Sequence, residues 1–313
     1  METSTEAAVE RKVSFDQIGQ GLYACTADGD PNSGVIVGDD CVMVIDAQAT
    51  PAAANDLIAR VAKVTDKPIK YVLLTHYHAV RVLGAPAYKD AEILASDTTR
   101  GLIAERGKQD IESEIGRFPR LFGTMETTPG LVWPTVTISD QMSVWLGRRE
   151  VRIMHIGRGH TAGDVIATVP DAGVVFAGDL VEYKSACYCG DAHFADWPAT
   201  LDHLAAFEAS TLVPGRGAVL TTPPMVAEGI ALTRDFIAAL YGSVSESVAK
   251  GRSLKDAFDF VRLAMDPTFK TFANYEHCLP FNVSRAFDEA RGIEWPVIWT
   301  AERDREIWTA LQA

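Results

Sequence analysis

The chain predicts an α/β fold of the α+β kind: a four-layer αββα sandwich of two mixed sheets with outer helices, plus a C-terminal helical extension. Three observations predict it. Apolar, strand-like runs near the N-terminus pair locally at hairpin spacing before helices begin to alternate with strands. Four later apolar runs each end in a polar residue at a loop, which is how strand ends assemble a site. Beyond about residue 225 the pattern is almost wholly helical. At 313 residues the chain is long enough for one large domain or two small ones. It divides into a tail at 1–12, the sandwich at 13–224, and the extension at 225–313 packed on it.

In order, Val13–Ile18 and Gly21–Thr26 have the alternation and turn residues of a hairpin. Ser33–Val37 and Cys41–Asp46 read as paired strands joined by Gly38-Asp-Asp. Thr50 is a capping residue before Pro51, so a helix starts there and leads into a strand at Tyr71–Leu74. Gly84–Tyr88 should begin a helix, Glu92–Ala95 a short strand, and Thr98–Gly116 a polar helix. Phe118–Gly130 is loop-rich, and Tyr88, Phe118, Phe122 and Met125 are either pocket lining or core there. Thr135–Ile138, Met142–Leu146 and Arg149–His155 are strands. His155 follows the period-2 spacing of Ile153 and reads as a packed, hydrogen-bonded histidine. Pro198–Ala209, Thr222–Gly251, Leu254–Met265, Val283–Ala290 and Glu302–Leu311 are helices. The segment Phe272–Asn282 reads as an aromatic-rich connection carrying His277 and Cys278. The aromatic residues Phe258, Phe260, Trp295 and Trp308 are expected to be buried, with the extension either capping a pocket or forming a homodimer contact.

The Tyr71 strand delivers His76 and His78. In extended backbone that spacing turns both imidazoles to one side, which suits a borderline-soft dication such as zinc. Alone, the pair fits two solvated loop residues equally well. Support comes from His160 in the glycine-rich loop after Val151–Ile156, from Asp179 at the end of Val174–Asp179, and from Arg216 after Leu212-Val-Pro.

The runs His76-Tyr-His78-Ala-Val80-Arg81, His160-Thr-Ala-Gly-Asp164, Gly178-Asp179 and Pro214-Gly-Arg216-Gly217 are similar in order and spacing to the metallo-β-lactamase fold superfamily, from about Val13 to Leu220. That resemblance implies a first metal held by His76, His78 and His160, with Asp179 at or next to it. It also exposes departures. Members with two metals carry Asp and His at positions 80 and 81 and His at 216. Here Val80, Arg81 and Arg216 stand instead, and a guanidinium cannot ligate a metal. One metal ion is therefore expected, zinc with iron as the alternative. Asp46 ends its strand where relatives often carry a carboxylate near the metal; a turn or cap role fits it equally.

Three imidazoles and an open position imply a hydrolase. The metal lowers the pKa of its water from ~15.7 towards ~7, giving a hydroxide nucleophile at neutral pH. The expected substrate is a small, anionic ester, lactone, amide or thioester. Asp179, Arg81 and Arg216 are the catalytic candidates. The two arginines are read as replacing the second metal, either by binding a substrate anion or by pairing with Asp46, Asp164 or Asp179. His193, Tyr183 and His277 are candidate substrate contacts. The alternatives are a mononuclear iron oxidoreductase and a non-catalytic ligand-binding relative. The intact first site argues against decay.

Composition excludes other classes. A net charge of −13 argues against a nucleic-acid or anionic-membrane partner. The N-terminus lacks the basic start and apolar core of a secretory signal, and no stretch approaches ~18 uninterrupted apolar residues. A cytoplasmic protein acting on a small molecule is the expectation. Five scattered cysteines do not suggest a disulfide framework, and Cys187 and Cys189 read as packed or pocket-lining thiols.

Overall fold

The structure is a computed structural model describing residues 12–122 and 130–312. The expected tail up to Arg11 and the pocket candidate Met125 fall outside those residues. The first sheet is built by β1 (Ser14–Gly19), β2 (Leu22–Thr26), β3 (Ser33–Val37) and β4 (Val42–Ile45), all antiparallel neighbours. Helix α1 (Pro51–Val61) then crosses to β5 (Ile69–Leu73), parallel to β4. Thr50 caps α1, its hydroxyl accepting from the Ala53 N–H at 3.1 Å, with Pro51 at the first helical position. After β5 come the four-residue helix α2 (Ala79–Val82), β6 (Glu92–Ser96), α3 (Asp97–Arg117), α4 (Pro119–Phe122) and β7 (Val136–Ile138). Strands β6 and β7 extend the sheet in parallel, completing seven strands in chain order.

The second sheet holds β8 (Gln141–Leu146), β9 (Arg149–Met154), β10 (Ile166–Val169), β11 (Val174–Glu182) and, after α5 (Trp197–Ala205), β12 (Thr211–Arg216). Its order is β12-β11-β10-β9-β8, with β11 and β12 parallel and the other pairs antiparallel. Four helices follow: α6 (Pro223–Ala249), α7 (Leu254–Phe269), α8 (Tyr275–Ala290) and α9 (Ala301–Gln312).

Ile36, Met43 and Leu73 of one sheet share a core with Ile153, Ala167 and Phe176 of the other. Leu57 and Val61 of α1 pack behind the first sheet, and Leu201, Phe236, Val261 and Leu279 behind the second. These are the four expected layers. No described helix is long and apolar enough to cross a membrane.

Several local expectations are corrected. Gly84–Tyr88 forms only a single 3-10 turn, Ala85–Ala87. Gly84 is pressed against the Ala47 carbonyl, where a Cβ would come within 1.9 Å. Strand β10, four buried residues between two loops, was not anticipated. Helix α8 starts at Tyr275, so His277, Cys278 and Pro280 lie inside it rather than in a connection. Pro280 removes a helix donor at a cost of about 3 kcal/mol. Burial of Cys278, Leu279, Phe281 and Val283, at roughly 1.5–3 kcal/mol for each large apolar side chain, outweighs it. In the extension, Trp295 and Trp308 are 45% and 54% exposed, and Phe258 and Phe260 are half-buried. The buried stripe of α7 runs through Ala257, Val261 and Met265, and residues 258 and 260 flank it. Phe236, Phe269, Tyr275, Phe281 and Trp299 fill the interior instead.

Candidate metal centre

The carboxyl ends of β4, β5, β11 and β12 meet at one edge of the sandwich, as ligand sites of parallel strands do. Asp46 follows β4 in the left-handed region, φ 62°. Its carboxylate accepts from the Thr75 N–H at 2.8 Å and from the Thr75 hydroxyl at 3.0 Å. His76 and His78 follow β5 and are fully buried. Two carboxylates of α3 steady the next turn: Asp110 accepts from the Ala79 N–H at 2.8 Å, and Glu114 from the Val80 N–H at 3.1 Å. They satisfy amides that a helix start leaves free. Two glycines allow the strand ends to close. At Gly178, φ +53°, a Cβ would come 2.8 Å from that of Thr75. At Gly215 it would lie 2.0 Å from Asp179 Oδ1.

The hydrogen bonds fix which ring nitrogens are free. The Thr75 hydroxyl donates to Asp46, so at 3.0 Å it accepts from His76 Nδ1. His76 Nε2 is then an unprotonated, buried atom with no hydrogen-bond partner among the described residues. His78 Nε2 lies 3.1 Å from Asp191 Oδ2, which directs Nδ1 at His160 Nε2, 3.0 Å away. Ligand atoms of the three histidines all lie within 4.8 Å of one another. Asp179 Oδ2 is 3.7 Å from His76 Nε2 and 3.5 Å from His160 Nε2. Burial holds the His76 imidazole well below its ordinary value and His160 at about 3. Burial also opposes a charge on His78, but the Asp191 hydrogen bond and the field of Asp110 raise it to about 9. Three imidazole nitrogens and one adjacent carboxylate fit a tetrahedral dication, and the Asp191 contact is the carboxylate–histidine support that metal-binding imidazoles use.

A family model described as the Metallo-beta-lactamase superfamily matches residues 26–216. The chain belongs to that superfamily. It is 21% identical over 266 residues to the linear primary-alkylsulfatase of Pseudomonas sp. (strain ATCC 19151), covering 73% of this chain and 49% of that protein. It thus spans about half the length of that relative. It is 24% identical over 219 residues to the metallo-beta-lactamase type 2 of Bacillus sp. (strain 170), covering 66% of this chain and 77% of the relative. Among solved structures, a metallo-beta-lactamase from Pontibacter korlensis superposes with a TM-score of 0.58 at 18% identity, over 72% of this chain and 100% of the other.

Within this superfamily member the three histidines occupy one half of the cleft and the arginines the other. Arg81 is fully buried. Its Nη1 donates to the Asn32 carbonyl at 2.6 Å and stands 3.5 Å from Asp46, while Nη2 donates to Asp179 Oδ1 and, at 2.8 Å, to the Gly215 carbonyl. Arg216 Nη1 donates to Asp179 Oδ2 at 3.1 Å and Glu182 Oε1 at 3.0 Å. Of the two roles expected for the arginines, the contacts seen are those of pairing with the chain's own groups. Arg81 closes on the chain's own acceptors through both terminal nitrogens, and Arg216 through Nη1, because a buried cation needs compensating charge. Of the anticipated partners, Asp46 and Asp179 are used. Asp164 instead accepts from the Thr161 N–H and hydroxyl, at 2.8 and 2.6 Å. Val80 is packed in the apolar core. Burial opposes ionisation of Asp179, yet Arg81 and Arg216 overwhelm it and hold the carboxyl well below its ordinary value. Glu182 is pushed the other way, to about 8, by burial and by Asp179.

The remaining candidates spread out. His193 is buried beside Trp295, 5.8 Å between ring centroids, and lines a small pocket with Asp191 and Arg106. Tyr183 turns its hydroxyl to Glu228 of α6, at 3.3 Å. His277 packs on Phe118, with ring centroids 4.0 Å apart. His155 donates from Nδ1 to the Asp164 carbonyl, 2.8 Å away, and is not gathered with the three histidines. Cys187 and Cys189 are packed thiols bracketed by Asn282, which donates to the Cys187 carbonyl and accepts from the Cys189 N–H, both at 2.7 Å. Sequence reading missed the supporting roles of Thr75, Asp110, Glu114, Glu182 and Asp191. Only Thr75, next to His76, carried a local signal.

Proposed function

We propose that this chain is a hydrolase using one metal ion, zinc by the nature of its ligands, to cleave an ester, lactone, amide or thioester bond of a small anionic substrate. The observation that supports it is the convergence of three imidazole nitrogens beside a carboxylate held ionised by two arginines. His76, His78 and His160 would hold the ion, with Asp179 Oδ2 at or next to it. When bound, the ion supplies Lewis acidity and lowers the pKa of water from about 15.7 towards 7. The protein supplies everything else. Asp179 accepts a hydrogen bond from the attacking water through Oδ2 and aims its lone pair. Thr75 and Asp191 hold the tautomers of His76 and His78. Arg81 and Arg216 stand where relatives place second-metal ligands and offset the buried charge of Asp179, so that a substrate anion entering beside it meets a compensated carboxylate. That relatives carry sulfatase and lactamase names supports cleavage by water as the reaction class.

The test is metal analysis after loading with zinc and, separately, iron, with hydrolysis of an ester and lactone panel as readout. One equivalent per chain and zinc-dependent hydrolysis are expected, with both lost in His76→Ala. Two equivalents at this site, none, or oxygen consumption by the iron form in place of hydrolysis would overturn the proposal.

A further inference from the structure

Asp191 joins the histidine cluster to the C-terminal extension. Its Oδ2 lies 3.1 Å from His78 Nε2, on the far side of the ring from His160. Its Oδ1 accepts from Arg106 Nη1 at 3.2 Å. Both side chains of that pair are 3% exposed, so solvent screens neither charge. Arg106 stands in the middle of α3, and each of its nitrogens is engaged. Nε and Nη2 donate to Glu105 Oε2 at 3.0 and 2.7 Å, and Nη1 donates a second time, to the Pro296 carbonyl at 3.1 Å.

Pro296 belongs to the strap 293–300 between α8 and α9, which has no helix or strand of its own. Side chains hold it in place of a ladder. Arg285 donates to the Ile293 and Glu294 carbonyls at 2.8 and 2.7 Å, and Trp299 Nε1 to the Gly190 carbonyl at 2.9 Å, next to Asp191. The Trp295 ring lies over Arg106, its centroid 5.6 Å from the guanidinium carbon. Arg106 is thus the point where α3, the strap and the support of His78 meet.

We propose that Arg106 is a positioning residue for the metal: it keeps the Asp191 carboxylate aimed at His78 Nε2, which leaves Nδ1 for the ion, and it fastens the strap to that same carboxylate. A carboxylate behind a ligating imidazole fixes the ring and raises its basicity. Without the cation at Oδ1, that carboxylate would be buried with less compensation and would hold His78 less firmly. Coupling of this kind is reciprocal: if a fastened strap favours the metal, the metal must favour the fastened strap. The inference rests on the metal-binding part of the reading above and not on hydrolysis.

The test is zinc affinity of the full chain by competition with a chelator, together with hydrogen exchange of residues 293–300 with and without zinc. Zinc should slow exchange of the strap in the wild type. Arg106→Gln should weaken zinc about 10–100-fold and abolish that slowing. At saturating cobalt(II), its ligand-field absorption should be shifted from that of wild type, which a loss of packing alone would not do. Arg106→Lys returns a point charge to Asp191 without the fork. It should recover most of the affinity while the strap stays unprotected, and it carries the test if the glutamine variant does not fold. Zinc affinity within about twofold of wild type and an unshifted cobalt spectrum in Arg106→Gln, strap exchange that ignores zinc in the wild type, or full strap protection in Arg106→Lys would overturn the proposal. The two readings separate cleanly. Zinc that binds and is weakened by Arg106→Gln, with no hydrolysis by the wild type, leaves the positioning role standing and removes the hydrolase reading. Hydrolysis with unchanged affinity in the variant does the reverse, and a wild type that takes up no zinc removes both.

Discussion

The two halves of the cleft are built from the same strand ends and treat charge in opposite ways. On one side His76, His78 and His160 present ring nitrogens to a common point, their outer atoms tied to Thr75 and Asp191 where a partner exists. On the other, Arg81 and Arg216 are closed upon Asp46, Asp179 and Glu182. The first half could hold a cation from solution; the second carries its own. Asp179 belongs to both: Oδ2 lies beside His76 and His160 and also accepts from Arg216, while Oδ1 accepts from Arg81. The Asp179 carboxylate is thus compensated by the chain's own cations on the arginine side.

The sharpest way to break this comparison is to remove the built-in cation. Arg81→Ala leaves Asp46 and Asp179 buried with less compensation, which should cost about 3–5 kcal/mol and lower the melting temperature by roughly 6–20 °C. A melting point within 2 °C of wild type would mean that the arginine half is not held by its charges. A smaller effect belongs to the histidine half. Asp191→Asn should weaken metal affinity about 10–100-fold, measured by competition with a chelator, and activity should return at saturating zinc. Unchanged affinity would place Asp191 outside the support of His78.

The smallest expected effect concerns Asp164, behind the His160 loop. Burial raises its carboxyl to about 7, opposed by the Thr161 hydrogen bonds. A carboxyl raised above its unfolded value of about 3.9 favours the folded state while protonated. That contribution is complete below about pH 4 and is lost as pH rises through 7. Asp164→Asn, neutral throughout, should therefore gain melting temperature relative to wild type between pH 5 and pH 8. A difference between the two proteins that stays constant with pH would refute the assignment.

The fold and the gathering of His76, His78 and His160 were legible because they are written locally. Apolar runs with period 2, a threonine before Pro51, and glycines at the loops place strand ends directly, and the histidines ride on those ends. What was not legible depends on contacts across the chain. Nothing near Arg81 says that Asn32 and Gly215 will supply carbonyls, so the sequence left open whether its fork binds a substrate or the chain's own acceptors. Asp110 and Glu114 read as ordinary polar positions of a helix, although they cap the turn after His78. Helix α8 was misjudged because Pro280 suggests a break, whereas burial across the sequence-distant second sheet decides the matter.

The contact between α3 and α9 has a consequence for how the molecule assembles. The Ser113 hydroxyl donates to Asp304 at 2.5 Å, joining residues 191 positions apart. His76, His78, His160 and Asp179 all lie before that second partner is made. During synthesis, at roughly 5–20 residues per second, the histidines can converge while the wall formed by α8 and α9 is still missing. The loop joining the two contact residues is also among the costliest to close. The histidine cluster is therefore formed early and the cavity between α3, α8 and α9 late. In reverse, local opening of α9 can expose the cavity without disturbing the histidines.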